Sequence, residues 1–228
     1  MKSVCRKALL LFLLLLYCLA TATSRLEATK AMTEVMWAVD NLENIGENSI
    51  TVLGAPKIVE TPWGRALEFD GKRDGLLVSA QPLAGLGTFT VEVIFRPDAG
   101  GPDEQRFLHV QEDGSDNRVL IETRLRDDGR WFLDTYIRSG RTDQTLFAEK
   151  FTHPVGQWYQ AALVFDGGEM SHYVNGVEEL SSEISFSPLH KGRTSIGVRI
   201  NQVHWFKGAI RTIRFVSRAL QPNEFLKP

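Results

Sequence analysis

Hydrophobic residues recur at every second position through long stretches of this chain. Phe89, Val91, Val93 and Phe95 alternate with Thr90, Glu92, Ile94 and Arg96. Side chains on a strand point alternately to opposite faces, so the apolar set marks a face turned toward a core. Val119, Ile121, Thr123 and Leu125 repeat the pattern against Arg118, Glu122 and Arg124, and Trp131, Leu133, Thr135 and Ile137 repeat it against Phe132, Asp134, Tyr136 and Arg138. Turn-rich groups such as Asp113-Gly114-Ser115-Asp116-Asn117 and Asp127-Asp128-Gly129 separate the runs. Further short strands are predicted over 34–39, 50–53, 56–58 and 106–111. A later strand is predicted where Arg199 and Asn201 alternate with Val198 and Ile200.

The stretch from Trp158 to Val177 predicts a meander. Asp166-Gly167-Gly168 separates two β-rich runs, and the second run meets Asn175-Gly176, a pair suited to the positive φ angles of a tight hairpin turn. Trp158 and Phe165 are expected in or beside the core. Strands with one apolar face bury it by stacking two sheets about 10 Å apart, which leaves each strand's polar set on an outer face. The expectation is an all-β, two-sheet antiparallel sandwich. Glu92, Arg118, Glu122, Arg124, Asp134, Tyr136, Arg138, Arg199 and Asn201 all fall on polar parity and are the candidate ligand-binding residues; all of them except Arg124 and Asn201 are expected to form one continuous outer face.

Met1 to Ala22 reads differently. Lys2, Arg6 and Lys7 precede an apolar run from Ala8 to Ala20, followed by small residues, which is the order of a secretory signal peptide. The apolar run is shorter than the ~20 residues needed to span a bilayer, so no stable membrane anchor is expected after cleavage and the protein is expected to be secreted or periplasmic. Residues 23–35 read as an N-terminal arm and 36–228 as one domain. Both cysteines, Cys5 and Cys18, fall in the leader, so a sizeable core rather than disulfides must stabilise the domain. The leader holds three of the 26 basic residues and none of the 28 acidic ones. That leaves 23 basic against 28 acidic residues, a balance that argues against nucleic acid as a partner.

The order and spacing of several motifs carry a resemblance. Ala66-Leu67-Glu68-Phe69-Asp70-Gly71 stands in the first half. The second half has Trp158, Phe165-Asp166-Gly167, Tyr173-Val174-Asn175-Gly176, Ile196-Gly197, Phe206-x-Gly208-x-Ile210 and Arg218-Ala219-Leu220. Together they resemble the laminin-G-like, concanavalin-A-like lectin and glucanase jelly rolls. The resemblance implies a sandwich with one concave sheet, on which many relatives carry a saccharide. It also implies a candidate structural calcium, for which Asp40, Asp70, Asp113 and Asp116 lie in or beside loops. Turn chemistry explains the same aspartates.

Three functions remain open on the sequence. The preferred one is binding of a polysaccharide or a glycoprotein glycan, since arginine and carboxylates hydrogen-bond sugar hydroxyls or uronates and an aromatic ring offers a stacking face. The second is a polysaccharide lyase or glycoside hydrolase on the same face. A lyase needs a proton acceptor and cations near a carboxylate, for which Tyr136, His172, Arg118, Arg199 and Asn201 supply the residue types. The chain lacks the closely spaced carboxylates of a retaining glycosidase and a Gly-x-Ser-x-Gly elbow. The third is a structural or interaction module, because cross-strand Arg–Glu pairs are ordinary on a solvated sheet.

Overall fold

A computed structural model describes residues 34–228. The leader 1–22 and the arm up to residue 33 lie outside the described residues. Seventeen strands form two antiparallel sheets. The first sheet contains β1 (Glu34–Ala38), β4 (Lys57–Thr61), β5 (Gly64–Asp70), β7 (Phe89–Pro97), β13 (Tyr159–Phe165), β14 (Glu169–Val174), β15 (Val177–Glu183) and β17 (Lys207–Val216). Its order is β15-β14-β13-β7-β17-β5-β4, with β1 also paired to β17. The second contains β2 (Asn44–Ile45), β3 (Asn48–Leu53), β6 (Gly75–Val78), β8 (Glu104–Glu112), β9 (Arg118–Leu125), β10 (Arg130–Ser139), β11 (Thr142–Phe147), β12 (His153–Pro154) and β16 (Gly192–Ile196). It runs β11-β10-β9-β8-β16-β6-β3-β2, with β12 on β10. Glu34 and Val35, which open the strand predicted over 34–39, are strand residues opposite Val216 and Phe215.

The period-2 alternation dictates the core. Phe89, Val91, Val93 and Phe95 of β7 face Val119, Ile121, Trp131, Leu133 and Ile137 of the opposite sheet within one buried cluster. Phe95 is the hub: its ring stacks on Phe107 at 4.4 Å and meets Trp131 edge-on at 5.2 Å. The predicted meander is β13-β14-β15. Its second turn has Asn175 at φ 52° and Gly176 at φ 80°, the double positive φ that an Asn-Gly hairpin supplies at least cost. Gly208 is required by close approach, since a Cβ there would lie 2.1 Å from the Arg96 carbonyl oxygen.

Two expectations shift. Phe165 is in the core, but Trp158 precedes β13 and is half-buried, with the Arg96 guanidinium 5.8 Å from its ring centre; Tyr159 takes the core position instead. The strand predicted through Val198 and Ile200 ends at Ile196, and residues 197–206 form a loop with positive φ at Gly197, Gln202 and His204.

The outer faces of the two sheets differ. Every residue of β13 is buried, because the C-terminal segment lies over its second face. Ala162, Val164, Tyr173 and Val216 pack there with Leu220 and Phe225. The outer face of the β8–β11 strands carries a pocket instead.

Candidate functional site

Register places the outer-face side chains in rows. Arg106 of β8 lies opposite Glu122 of β9, which lies opposite Asp134 of β10, which lies opposite Phe147 of β11. The next row is His109, Leu120, Tyr136 and Thr145, and the one after it is Gln111, Arg118, Arg138 and Asp143. Directly opposed residues on neighbouring strands share a face and bring their side chains within reach. The result is a pocket of about 240 Å³. Arg106, Arg118, Arg124 and Arg199 line it with Glu122, Asp134 and Tyr136.

Two of the four guanidiniums are neutralised in place. Arg106 lies 2.7 Å from Glu104 and 3.0 Å from Glu122. Arg124 lies 2.7 Å from Asp134 and also pairs with Glu104. Burial alone would raise Glu104, yet Arg106 and Arg124 together hold it down to about 2. Glu122 is far more enclosed; burial, and then the Asp134 charge, push it up to about 7 against the pull of Arg106 and Arg124. Burial raises Asp134 as well.

The other two arginines are held without a carboxylate. Arg118 donates Nη1 to the Asp116 carbonyl at 2.8 Å and lies over the Tyr136 ring, 4.9 Å from its centre. Arg199 comes from the 197–206 loop. Among the described residues neither has a carboxylate oxygen within 4 Å. Burial, followed by repulsion from Arg118 and Arg106, lowers the Arg199 pKa. His109 fixes the loop from below: its Nδ1 accepts the Ile200 N–H at 3.1 Å, so in the neutral ring Nε2 carries the proton. Burial, and then Arg199, Arg118, Arg106 and Arg193, push His109 down to about 3, so the ring is neutral at physiological pH.

Arg106, His109 and Phe147 were not among the sequence candidates. The pairing of β8 with β9 slips between Arg106 and Leu108, and this bulge brings Arg106 and His109 onto one face, whereas unbroken alternation puts residues three apart on opposite faces. Phe147 is a half-exposed ring that meets Phe132 edge-on at 4.8 Å, with the Arg124 guanidinium 5.4 Å from its centre.

Some candidates lie elsewhere. Glu92 is on the opposite outer face and fully buried. It accepts Gln160 Nε2 at 3.0 Å, the Leu226 N–H at 2.8 Å and Arg214 Nε at 2.5 Å. One continuous face holding all the candidates is therefore not formed, because β7 belongs to the other sheet. His172 is inside the sandwich, its Nδ1 3.0 Å from the hydroxyl of Thr135, and burial pushes it down to about 3. Asn201 is exposed at a turn and does not line the pocket. Arg138 stands opposite Arg118, one strand away and outside the lining. The five-residue set for a lyase is thus not assembled.

The calcium candidates do not converge either. Asp70 accepts the N–H groups of Lys72, Arg73 and Asp74 through one oxygen. Asp40 accepts the Asn41 side chain, and Asp113 and Asp116 are exposed in the β8–β9 turn. Among the described residues no three His, Cys, Asp or Glu side chains are grouped as metal ligands. These aspartates do not fit a calcium site.

The family model described as concanavalin A-like lectin/glucanases superfamily matches residues 70–225, about two thirds of the chain. The chain belongs to that superfamily. No curated protein sequence matches it significantly. Among solved structures it is similar to domain 4 of AbnA, a GH43 extracellular arabinanase from Geobacillus stearothermophilus, solved in complex with arabinotriose (TM-score 0.64, 20% identity, 83% of this chain and 94% of that one). It is also similar to the binding domains of Paraclostridial Mosquitocidal Protein 1 (TM-score 0.63, 14% identity) and botulinum neurotoxin serotype D (0.59, 12%), in each case over 84% of this chain and 50% of the other. The chain thus spans about half the length of those toxin domains. At these identities the likeness concerns the fold.

Proposed function

We propose that this superfamily member is a carbohydrate-binding domain whose saccharide occupies the pocket on β8–β11. The observation that carries the reading is the convergence of hydrogen-bonding groups from four adjacent strands and one loop on a single depression, flanked by the half-exposed Phe147 ring. Sugar sites combine such groups, which fix hydroxyl orientation, with an aromatic face against which the ring's C–H surface packs. The arabinotriose complex of the arabinanase domain supports a saccharide on this fold. The leader-like 1–22 segment supports secretion, where extracellular glycans are met.

A glycan array probed with the wild-type protein and with Arg118→Ala and Tyr136→Phe tests this. Binding should be seen with the wild type, fall with Arg118→Ala, and largely persist with Tyr136→Phe, which removes one hydroxyl and no stacking surface. A catalytic phenol would behave otherwise: Tyr136→Phe would abolish turnover of a bound polysaccharide while leaving its binding. No glycan bound, or binding indifferent to Arg118, would refute the reading.

A further inference from the structure

Resting on the reading that the pocket holds a saccharide, we infer that the saccharide is acidic and that Arg118 and Arg199 hold its carboxylate. The pocket is divided by charge. Along β9, Glu122 and Arg118 are four residues apart, about 13 Å at the rise of a strand. Around Glu122, the carboxylates of Glu104, Glu122 and Asp134 occupy Arg106 and Arg124. Around Arg118, two guanidiniums face the same pocket, and among the described residues neither has a carboxylate oxygen within 4 Å.

Three donors at that end support an anion. Arg118 Nε is buried without a hydrogen-bond partner, as is His109 Nε2, and Arg199 has no acidic neighbour within ion-pair distance. Sugar hydroxyls could accept from these groups but would not relieve the repulsion between Arg118 and Arg199. A carboxylate does both, because its two oxygens match the guanidinium fork. At the other end, Asp134 Oδ1 is a buried acceptor without a partner, suited to a sugar hydroxyl. An oligosaccharide of a sugar acid carries both groups. Neutral His109 adds a donor without adding to the charge, and through Ile200 it holds the loop that carries Arg199.

Titration calorimetry of the purified protein with three probes tests this: an oligouronate, the same oligosaccharide with its carboxyls reduced to alcohols, and a neutral oligosaccharide bearing sulfate esters. The oligouronate should bind at least about tenfold more tightly than its reduced form, as one charge-assisted contact implies. Arg118→Ala and Arg199→Ala should each erase about tenfold of the oligouronate affinity and little of the reduced form's, and Arg199→Lys should restore part of it. Circular dichroism checks that the variants are folded. Equal affinity for the oligouronate and its reduced form, with the arginine variants affecting both alike, would overturn the acidic claim and leave the saccharide reading standing. A preference for the sulfated probe would overturn the carboxylate assignment. Failure to bind any saccharide would overturn both.

Discussion

The two outer faces of the sandwich are made from similar parts and end in different states. On the eight-stranded sheet, Glu92 meets Arg214, Gln160 and the Leu226 amide and is fully buried. On the nine-stranded sheet, Glu122 and Asp134 meet Arg106 and Arg124, while Arg118 and Arg199 line the same pocket without a carboxylate partner. The difference comes from the chain's last residues. Leu220 and Phe225 lie over Ala162, Val164 and Tyr173 and close the first face, whereas the β8–β11 face keeps its pocket. A polar strand face is thus a surface only if nothing later in the chain covers it. Glu92 belongs to the closure, and the arginines opposite are available to a ligand.

The largest expected effect comes from breaking the closed face. Glu92→Ala leaves Arg214 enclosed without its main counter-charge, and removing one partner of a buried pair costs about 3 to 5 kcal/mol. Urea unfolding reads the loss; a change below about 1 kcal/mol would mean that Glu92 does not hold the C-terminal cover. Phe225→Ala takes an aromatic ring out of the cluster with Tyr173 and should cost about 3 kcal/mol. Neither variant should alter saccharide affinity while the protein remains folded, since both residues belong to the face away from the pocket.

The open face should respond in the opposite sense. Arg118→Ala loses a stacking contact with Tyr136 and one hydrogen bond, so its stability cost should stay near about 1 kcal/mol. Its effect on binding should be the larger one. A stability loss matching that of Glu92→Ala would make Arg118 a structural residue and erase the contrast.

The fourth contrast is a pH dependence. Glu122 has its folded pKa raised to about 7, so it favours the folded state most below its unfolded value near 4.3. That contribution is lost as pH rises from there through 7. Glu104 has its folded pKa lowered to about 2, so its contribution is present above about 4.3 and lost as pH falls toward 2. The two windows are separate. Wild-type stability should therefore fall relative to Glu122→Gln between about pH 4.5 and 8 in parallel melts, and a constant difference across that window would show that Glu122 is ionised throughout.

Much of the sandwich was legible because period 2 is a local property. Phe89 to Phe95 and Trp131 to Ile137 each declare an inner face from their own alternation, and Asn175-Gly176 declares its turn. Sheet membership is not local. Nothing in the alternation of Thr90, Glu92, Ile94 and Arg96 says that β7 pairs with β13 and β17 rather than with β9, so Glu92 was grouped with the wrong face. His172 escapes a reading by polarity because a polar residue in an apolar strand can face inward when it finds a partner, here Thr135. Arg106 and His109 were hidden by the bulge in β8. Arg199 reaches the pocket from a loop rather than from the strand its alternation predicts, and the same loop leaves Asn201 exposed.

Hydrogen–deuterium exchange with and without the tightest saccharide from the array is the most direct test of the open face as the ligand face. Added protection is expected in β9, β10 and β11 and in residues 197–206, with β7, β13, β14 and the C-terminal segment unchanged. Protection centred on those latter elements, or none anywhere at saturating saccharide, would contradict that assignment.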